Sequence, residues 1–233
     1  MMNNETIGIS CEVAIAECFN IEMSSEYKKR ADFLVVEKLK KLIPEIFEEY
    51  SIPKPKKHTA ENRNPYDFLL EGEKTLSVKS NINKLGKAAP TKIGQVTSQA
   101  FFEKFNSYFK NKKIPDNYEK RAEIFKKFVL ENIELMLNEY LKNLFETDYY
   151  IHFYNFNSSI QYIVIEKDRV EDANFLGENY NFTRTFDKWN ESTTVKLDNN
   201  SIGEFQVHRN RDCFKFRFNM KNLIKLLEDH NGY

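Results

Sequence analysis

The stretch NPYDFLLEGEKTLSVKS, residues 64–80, decides how the rest of the chain is read. Two short apolar runs flank a Gly-containing turn, the pattern of a β-hairpin. Strand alternation puts Thr75, Ser77 and Lys79 on one face and Leu76 and Val78 on the other. Antiparallel pairing of 66–71 with 75–80 across Gly72 then brings Asp67 within a few ångströms of Lys79. A carboxylate and an ammonium held at a strand end can bind a divalent cation and position a water for attack on phosphate. The same pair has a plain structural reading as a cross-strand ion pair contributing about 0.2–1 kcal/mol.

Outward from this hairpin the chain divides by composition. All six prolines lie in the first half, at 44, 53, 55, 65, 90 and 115. Helical periodicity runs through 8–20, 26–50, 93–110 and 117–145, with Asp116 and Glu119 spaced as a capping box for the last, and a final helix covers 219–230. The second half carries aromatic and β-branched runs bounded by Asn, Asp or Gly at 149–156, 160–167, 193–197, 202–208 and 213–218, which read as strands. The segment 51–65 is the one linker-like piece. The expected fold is mixed α/β, an α+β arrangement of a central mixed sheet flanked by helices with an added β-rich C-terminal part. Residues 1–147 would hold helices and the hairpin, and 148–233 the β-rich half and terminal helix, in one compact domain.

A chain of 233 residues, 41% hydrophobic and 14% aromatic, can bury one good core. Lys and Arg number 35 against 35 Asp and Glu, so net charge gives no reason to expect a polyanionic partner, and any basic surface must be local. No apolar run approaches the roughly 18 residues of a membrane span, and the N-terminus lacks the features of a secretory signal, so the expected location is the cytoplasm. Cys11, Cys18 and Cys213 form no CxxC pair and read as small core residues. His58, His152, His208 and His230 have no partner at ligand spacing, which argues against zinc. There is no Gly-rich phosphate loop. Trp189 reads as a packing residue.

The segments PYDFLL and LSVKSN resemble the catalytic hairpin of the PD-(D/E)xK nuclease superfamily, whose members with chains of this size are chiefly type II restriction endonucleases. GISCEVAIAECFN, 8–20, looks like the first helix of such enzymes, which often carries a Glu turned toward the metal. SVKSNINKLGKAAPTKIGQVT resembles the basic loop after the lysine, and SIGEFQVHRNRDCFKFRFNM is similar to a C-terminal hairpin placed near DNA. The resemblance implies a restriction-endonuclease-like fold, a Mg²⁺ cofactor, a double-stranded DNA substrate and a cognate DNA methyltransferase in the cell. It makes Asp67 the metal-binding carboxylate, Lys79 the lysine that orients or helps deprotonate the attacking water, and the Val78 carbonyl a further metal ligand. Ser77 departs from the pattern, standing where an Asp or Glu is expected. Its hydroxyl can hold a metal-bound water without supplying the missing charge. Glu12, on the first helix, is the expected substitute ligand; Glu17 lies about 140° further around that helix and belongs elsewhere.

DNA contacts are expected at two places. From 79 to 92 there are four lysines and no acid, so Lys84, Lys87 and Lys92 can grip phosphates, and IGQ can open a helix whose amides and Gln95 face the backbone. In CFKFRF, Phe214, Phe216 and Phe218 alternate with Lys215 and Arg217, one aromatic and one cationic face. The preceding His208, Arg209, Asn210 and Arg211 form a turn suited to base edges or phosphates. A solvated basic loop and an ordinary polar sheet face account for the same residues. The function expected is a Mg²⁺-dependent, sequence-specific double-strand DNA endonuclease of the type II restriction kind, acting as a monomer or a homodimer. Two alternatives stay open: a repair or nicking nuclease on the same fold, and a non-catalytic DNA-binding protein.

Overall fold

The structure, a computed structural model, describes residues 3–60, 64–109, 113–175 and 179–231. In chain order the elements begin with α1 (Asn4–Cys18), α2 (Ser25–Lys28), α3 (Phe33–Leu39), α4 (Ile43–Glu49), β1 (Pro55–His58), β2 (Phe68–Leu70) and β3 (Thr75–Asn81). The middle of the chain adds β4 (Lys87–Ala88), β5 (Gln95–Thr97), α5 (Ser98–Lys104), α6 (Tyr118–Glu131) and α7 (Ile133–Leu144). There follow β6 (Tyr149–Tyr154), β7 (Gln161–Glu166), β8 (Tyr180–Phe182), β9 (Ser192–Leu197), β10 (Asn200–His208), β11 (Cys213–Asn219) and α8 (Met220–Asn231). The architecture is mixed α/β with mixed sheets, as the patterning implies. Among the described residues no helix is long and apolar enough to cross a membrane.

The chain groups into two compact units, 1–86 with 145–172 and 87–144 with 173–233. They interleave along the sequence and do not coincide with the halves 1–147 and 148–233, because β6 and β7 pair with the N-terminal strands.

The first unit is built on a five-stranded sheet in the order β1-β2-β3-β6-β7, parallel at β3/β6 and antiparallel elsewhere. The expected antiparallel hairpin forms, with Phe68 opposite Leu76 and Leu69 opposite Thr75. Its turn needs Gly72, whose φ of +67° suits a residue without Cβ. Helix α1 packs on the sheet and is buried nearly all round, through Ile7, Ile9, Cys11, Val13, Ala14, Ile15 and Ala16. Asn3 caps it by accepting from the Thr6 amide at 2.9 Å. The helix expected over 26–50 is three short ones, because Asp32 caps α3 and Pro44 sits in the first turn of α4. The linker-like 51–65 contributes β1, an edge strand; its residues 61–63 lie outside those described.

The second unit contains a six-stranded sheet in the order β4-β11-β10-β9-β8, with β5 also paired to β11. Phe214, Phe216 and Phe218 are buried as their alternation predicts, Phe214 stacked on Phe125 with ring centroids 4.2 Å apart. Trp189 is 1% exposed against Phe125 and Phe205, a packing residue as expected. Gly203 is required by packing, since a Cβ there would lie 2.5 Å from the Phe216 ring. Two expectations fail here. The helix over 117–145 breaks at Asn132, giving α6 and α7, and α6 is capped by Asn117, not Asp116. IGQ opens no helix: Gln95 begins β5, opposite Lys215, and α5 starts after the Thr97 cap.

Candidate active site

Asp67 sits where the central strands hold its backbone from both sides. Its amide donates to Leu76 O and its carbonyl accepts from the Thr59 amide, each at 2.9 Å. Its side chain turns to β3, where Oδ2 accepts from the Val78 amide at 2.6 Å and from Ser77 Oγ at 3.3 Å. Lys79 Nζ stands 3.9 Å from the same oxygen. Among the described residues the side-chain partners of Asp67 all meet Oδ2, and Oδ1 is open. In an extended strand the N–H and C=O of one residue point to the same edge. The Val78 carbonyl therefore faces the edge on which Asp67 lies.

Glu12 comes to this place from α1. It is 8% exposed, and Asp67 is near enough to act on its charge. Burial, and with it the charge of Asp67, push the Glu12 carboxyl up, outweighing hydrogen bonds from His58 and Tyr27 that pull it down. Both bonds fall on one oxygen: Tyr27 Oη donates to Oε2 at 2.8 Å and His58 Nε2 lies 2.7 Å from it. Oε1 is left open. Glu17, set aside on helical geometry, pairs with Lys40 at 3.1 Å.

Glu12, Asp67, Ser77, Val78 and Lys79 are thus brought together within the first unit. Ser77 is 2% exposed and its hydroxyl donates to Asp67 Oδ2. Among the described residues no three His, Cys, Asp or Glu side chains are grouped to hold a metal. The donor set here is two carboxylates, each with one engaged and one open oxygen, plus a carbonyl. It suits Mg²⁺, which takes one or two carboxylates and keeps waters and substrate oxygens for its other positions.

Sequence reasoning missed two parts of this surrounding. His58 was read only as having no partner at metal-ligand spacing, yet β1 carries it, 5% exposed, onto Glu12. His152, opposite Lys79 on β6, is also buried, its Nε2 2.8 Å from Asn81 Oδ1 and its Nδ1 3.2 Å from Tyr150 Oη. Asn81 Oδ1 also accepts from the Gly86 amide at 2.9 Å, tying the strand end to the loop that follows. Burial, with the Lys79 charge, lowers the His152 pKa to about 3, so the ring is neutral. The side chain of His230 lies outside the described residues.

The basic residues nominated for DNA contact separate into two groups. Lys87 and Arg217 both pair with Glu204, which is held below the usual carboxylate value because these bonds outweigh its burial. Arg209 pairs with Glu119 at 2.7 Å. Lys215 and Arg211 have no carboxylate hydrogen-bonded to them among the described residues, and burial, then the neighbouring Arg217, lower the Lys215 pKa. Lys84, Lys92, Gln95, Asn210 and Arg211 are exposed, and His208 bonds Gln206 at 3.0 Å. In the second unit, residues 208–211 and Lys215 line a groove of about 780 Å³ whose other walls include Lys126, Phe186 and Trp189 and also the acidic Glu119, Glu123, Asp187 and Glu191. The turn is anchored below by Asp212, which pairs with buried Arg121 at 3.2 Å and is bonded by Ser98. The thiols of Cys11 and Cys213 are buried and Cys18 is half-buried, all three free, as expected of packing residues.

No protein-family model matches the chain. The chain is similar to the type II restriction enzyme CviAII of Paramecium bursaria Chlorella virus 1, 34% identical over 173 residues. The match covers 74% of this chain and 47% of that enzyme, so the chain spans about half the length of the curated relative it matches.

Proposed function

We propose that the chain is a Mg²⁺-dependent, sequence-specific double-strand DNA endonuclease of the type II restriction kind, with a PD-(D/E)xK site in which Glu12 replaces the second acidic residue of the hairpin. The observation that carries this reading is the pair of neighbouring carboxylates, Glu12 and Asp67, each with one oxygen engaged and one open, beside Lys79. The similarity to a type II restriction enzyme supports it.

Glu12, Asp67 and the Val78 carbonyl would hold Mg²⁺, which supplies positive charge to the scissile phosphate and the leaving oxygen. Ser77 and the Val78 amide fix the Asp67 carboxylate. Lys79 orients the water and offers its ammonium to the charge that develops on phosphate. The water adds to phosphorus in line, the bond from phosphorus to the leaving deoxyribose oxygen breaks, the water's proton passes to solvent and the leaving oxygen takes one up. Neutral His152 leaves the Lys79 ammonium without a second cation beside it.

In this reading Lys84 and Lys92 grip backbone phosphates, and Asn210, Arg211 and Lys215 meet DNA at the second unit's groove, with His208 and Gln95 at its margins. Lys87, Arg209 and Arg217 serve the protein's own ion pairs first. A cognate methyltransferase and a cytoplasmic location complete the picture. Incubating purified protein with several plasmids in Mg²⁺ tests it: discrete fragments that vanish with EDTA are expected, and binding without cleavage on every DNA would favour the non-catalytic alternative.

A further inference from the structure

Glu12 is held by two residues outside the hairpin, and the way they hold it is informative. Tyr27 and His58 come from different elements, α2 and β1, yet both meet Oε2 and neither meets Oε1. A carboxylate gripped by one oxygen presents the other in a fixed direction. Carboxylates that ligate metals are held in this way by outer hydrogen bonds, whose loss weakens metal affinity about 10–100-fold.

The two donors are themselves fixed. The His58 ring lies between Tyr27 and Phe68, 5.1 Å from each ring centroid. Phe68 is fully buried in β2, next to Asp67. Tyr27 stands under the Arg30 guanidinium, 5.5 Å from its ring centroid, and Arg30 is in turn bonded to Glu5 of α1. The chain thus runs from α1 through α2 back to Glu12 on α1, while β1 brings His58 from the sheet. A buried carboxylate beside another carboxylate is unfavourable in the absence of a cation. Two donors that keep Glu12 there, with one oxygen open, act for a ligand and not for the packing of the core.

We propose that Tyr27 and His58 are positioning residues that hold Glu12 with Oε1 open to a divalent cation shared with Asp67. This rests on the metal-dependent reading of the site. The group is a tyrosine, a histidine and a carboxylate on three elements; only the carboxylate touches the cation.

The test uses the full chain without DNA and reads Mn²⁺ binding by electron paramagnetic resonance, alongside the Mg²⁺ concentration for half-maximal plasmid cleavage. Tyr27→Phe removes only a hydroxyl from a half-buried side chain, and His58→Leu removes the other donor. Each is expected to weaken Mn²⁺ binding about tenfold and to raise the Mg²⁺ requirement by the same factor. At saturating Mg²⁺ the cleavage rate should stay within about threefold of the parent, since the cation once bound restores the site. His58→Gln, whose amide nitrogen replaces Nε2, should recover most of the affinity. Thermal melting shows which variants are folded; if His58→Leu is not, Tyr27→Phe and His58→Gln decide. Parent-like Mn²⁺ affinity in Tyr27→Phe and His58→Leu, with affinity lost in Glu12→Ala, overturns the positioning roles and leaves the metal site standing. A parent protein that binds no Mn²⁺ and cleaves regardless of Glu12→Ala overturns the metal reading and the positioning roles with it.

Discussion

Glu12 and His152 are charged or chargeable groups that the fold buries beside Asp67 and Lys79, and each leaves a mark on stability. For His152 the folded pKa, about 3, lies below the value near 6.5 of an unfolded chain. A lowered histidine contributes stability that is present above the unfolded pKa and is lost as pH falls through it. Urea unfolding of the parent should therefore show about 1–2 kcal/mol less stability at pH 5 than at pH 7 from this group, a loss that His152→Asn should not show. Glu12 behaves in the opposite sense to most carboxylates. Its folded pKa is raised by burial and by Asp67, so its contribution is present below the unfolded pKa and is lost as pH rises through the folded value. In EDTA, Glu12→Gln should gain stability relative to the parent between pH 4 and pH 8, as melting temperatures will read. Added Mg²⁺ should narrow that gap, since it gives the ionised Glu12 a counter-charge. A gap that stays flat with pH would mean that Glu12 is ionised without strain.

Among elements, the β10–β11 hairpin and its turn depend on Arg121. This buried guanidinium donates to Ser98 at 2.7 Å, to the Pro115 and Asp116 carbonyls, and to Asp212, the left-handed residue that ends the turn. Arg121→Ala should cost about 2–4 kcal/mol in denaturant unfolding, because it strips the partners of several buried bonds at once. The hairpins were the most legible elements. Gly72, the alternation around Lys79 and the Phe214–Phe216–Phe218 stripe are local signals, and the pairings Phe68–Leu76 and Phe205–Phe216 follow them. Glu12 was legible only through a family resemblance combined with helical geometry. His58 was not, because nothing in KPKKH marks a strand; β1 exists through its pairing with β2, and the His58–Glu12 contact joins residues 46 apart. Gln95 was misplaced for the same reason, since β5 is a strand by virtue of β11. Periodicity over 117–145 continued through Asn132 because both helices bury one face, and a break that preserves the phase leaves no trace in the pattern.

For the molecule as a whole, 35 basic residues balance 35 acidic ones, so the proposed affinity for DNA must come from cations that the protein has not already paired. Among the described residues Lys215 and Arg211 are such cations, whereas Lys87 and Arg217 share Glu204. Each unpaired cation that meets a phosphate adds close to one unit to the salt dependence of binding. Lys215→Ala and Arg211→Ala should each lower the slope of log affinity against log salt by about 1, and Lys87→Ala should change it little. Equal slopes in all three variants would remove the distinction between paired and unpaired cations. If Asp67 and Lys79 perform metal-dependent cleavage, as proposed, the decisive comparison sets Asp67→Asn and Lys79→Ala against the parent on cut plasmids. Binding is followed in parallel with Ca²⁺ in place of Mg²⁺. Discrete fragments from the parent, at least about a hundredfold slower cleavage in both variants and retained binding are expected. Cleavage at parental rates in either variant would contradict the site.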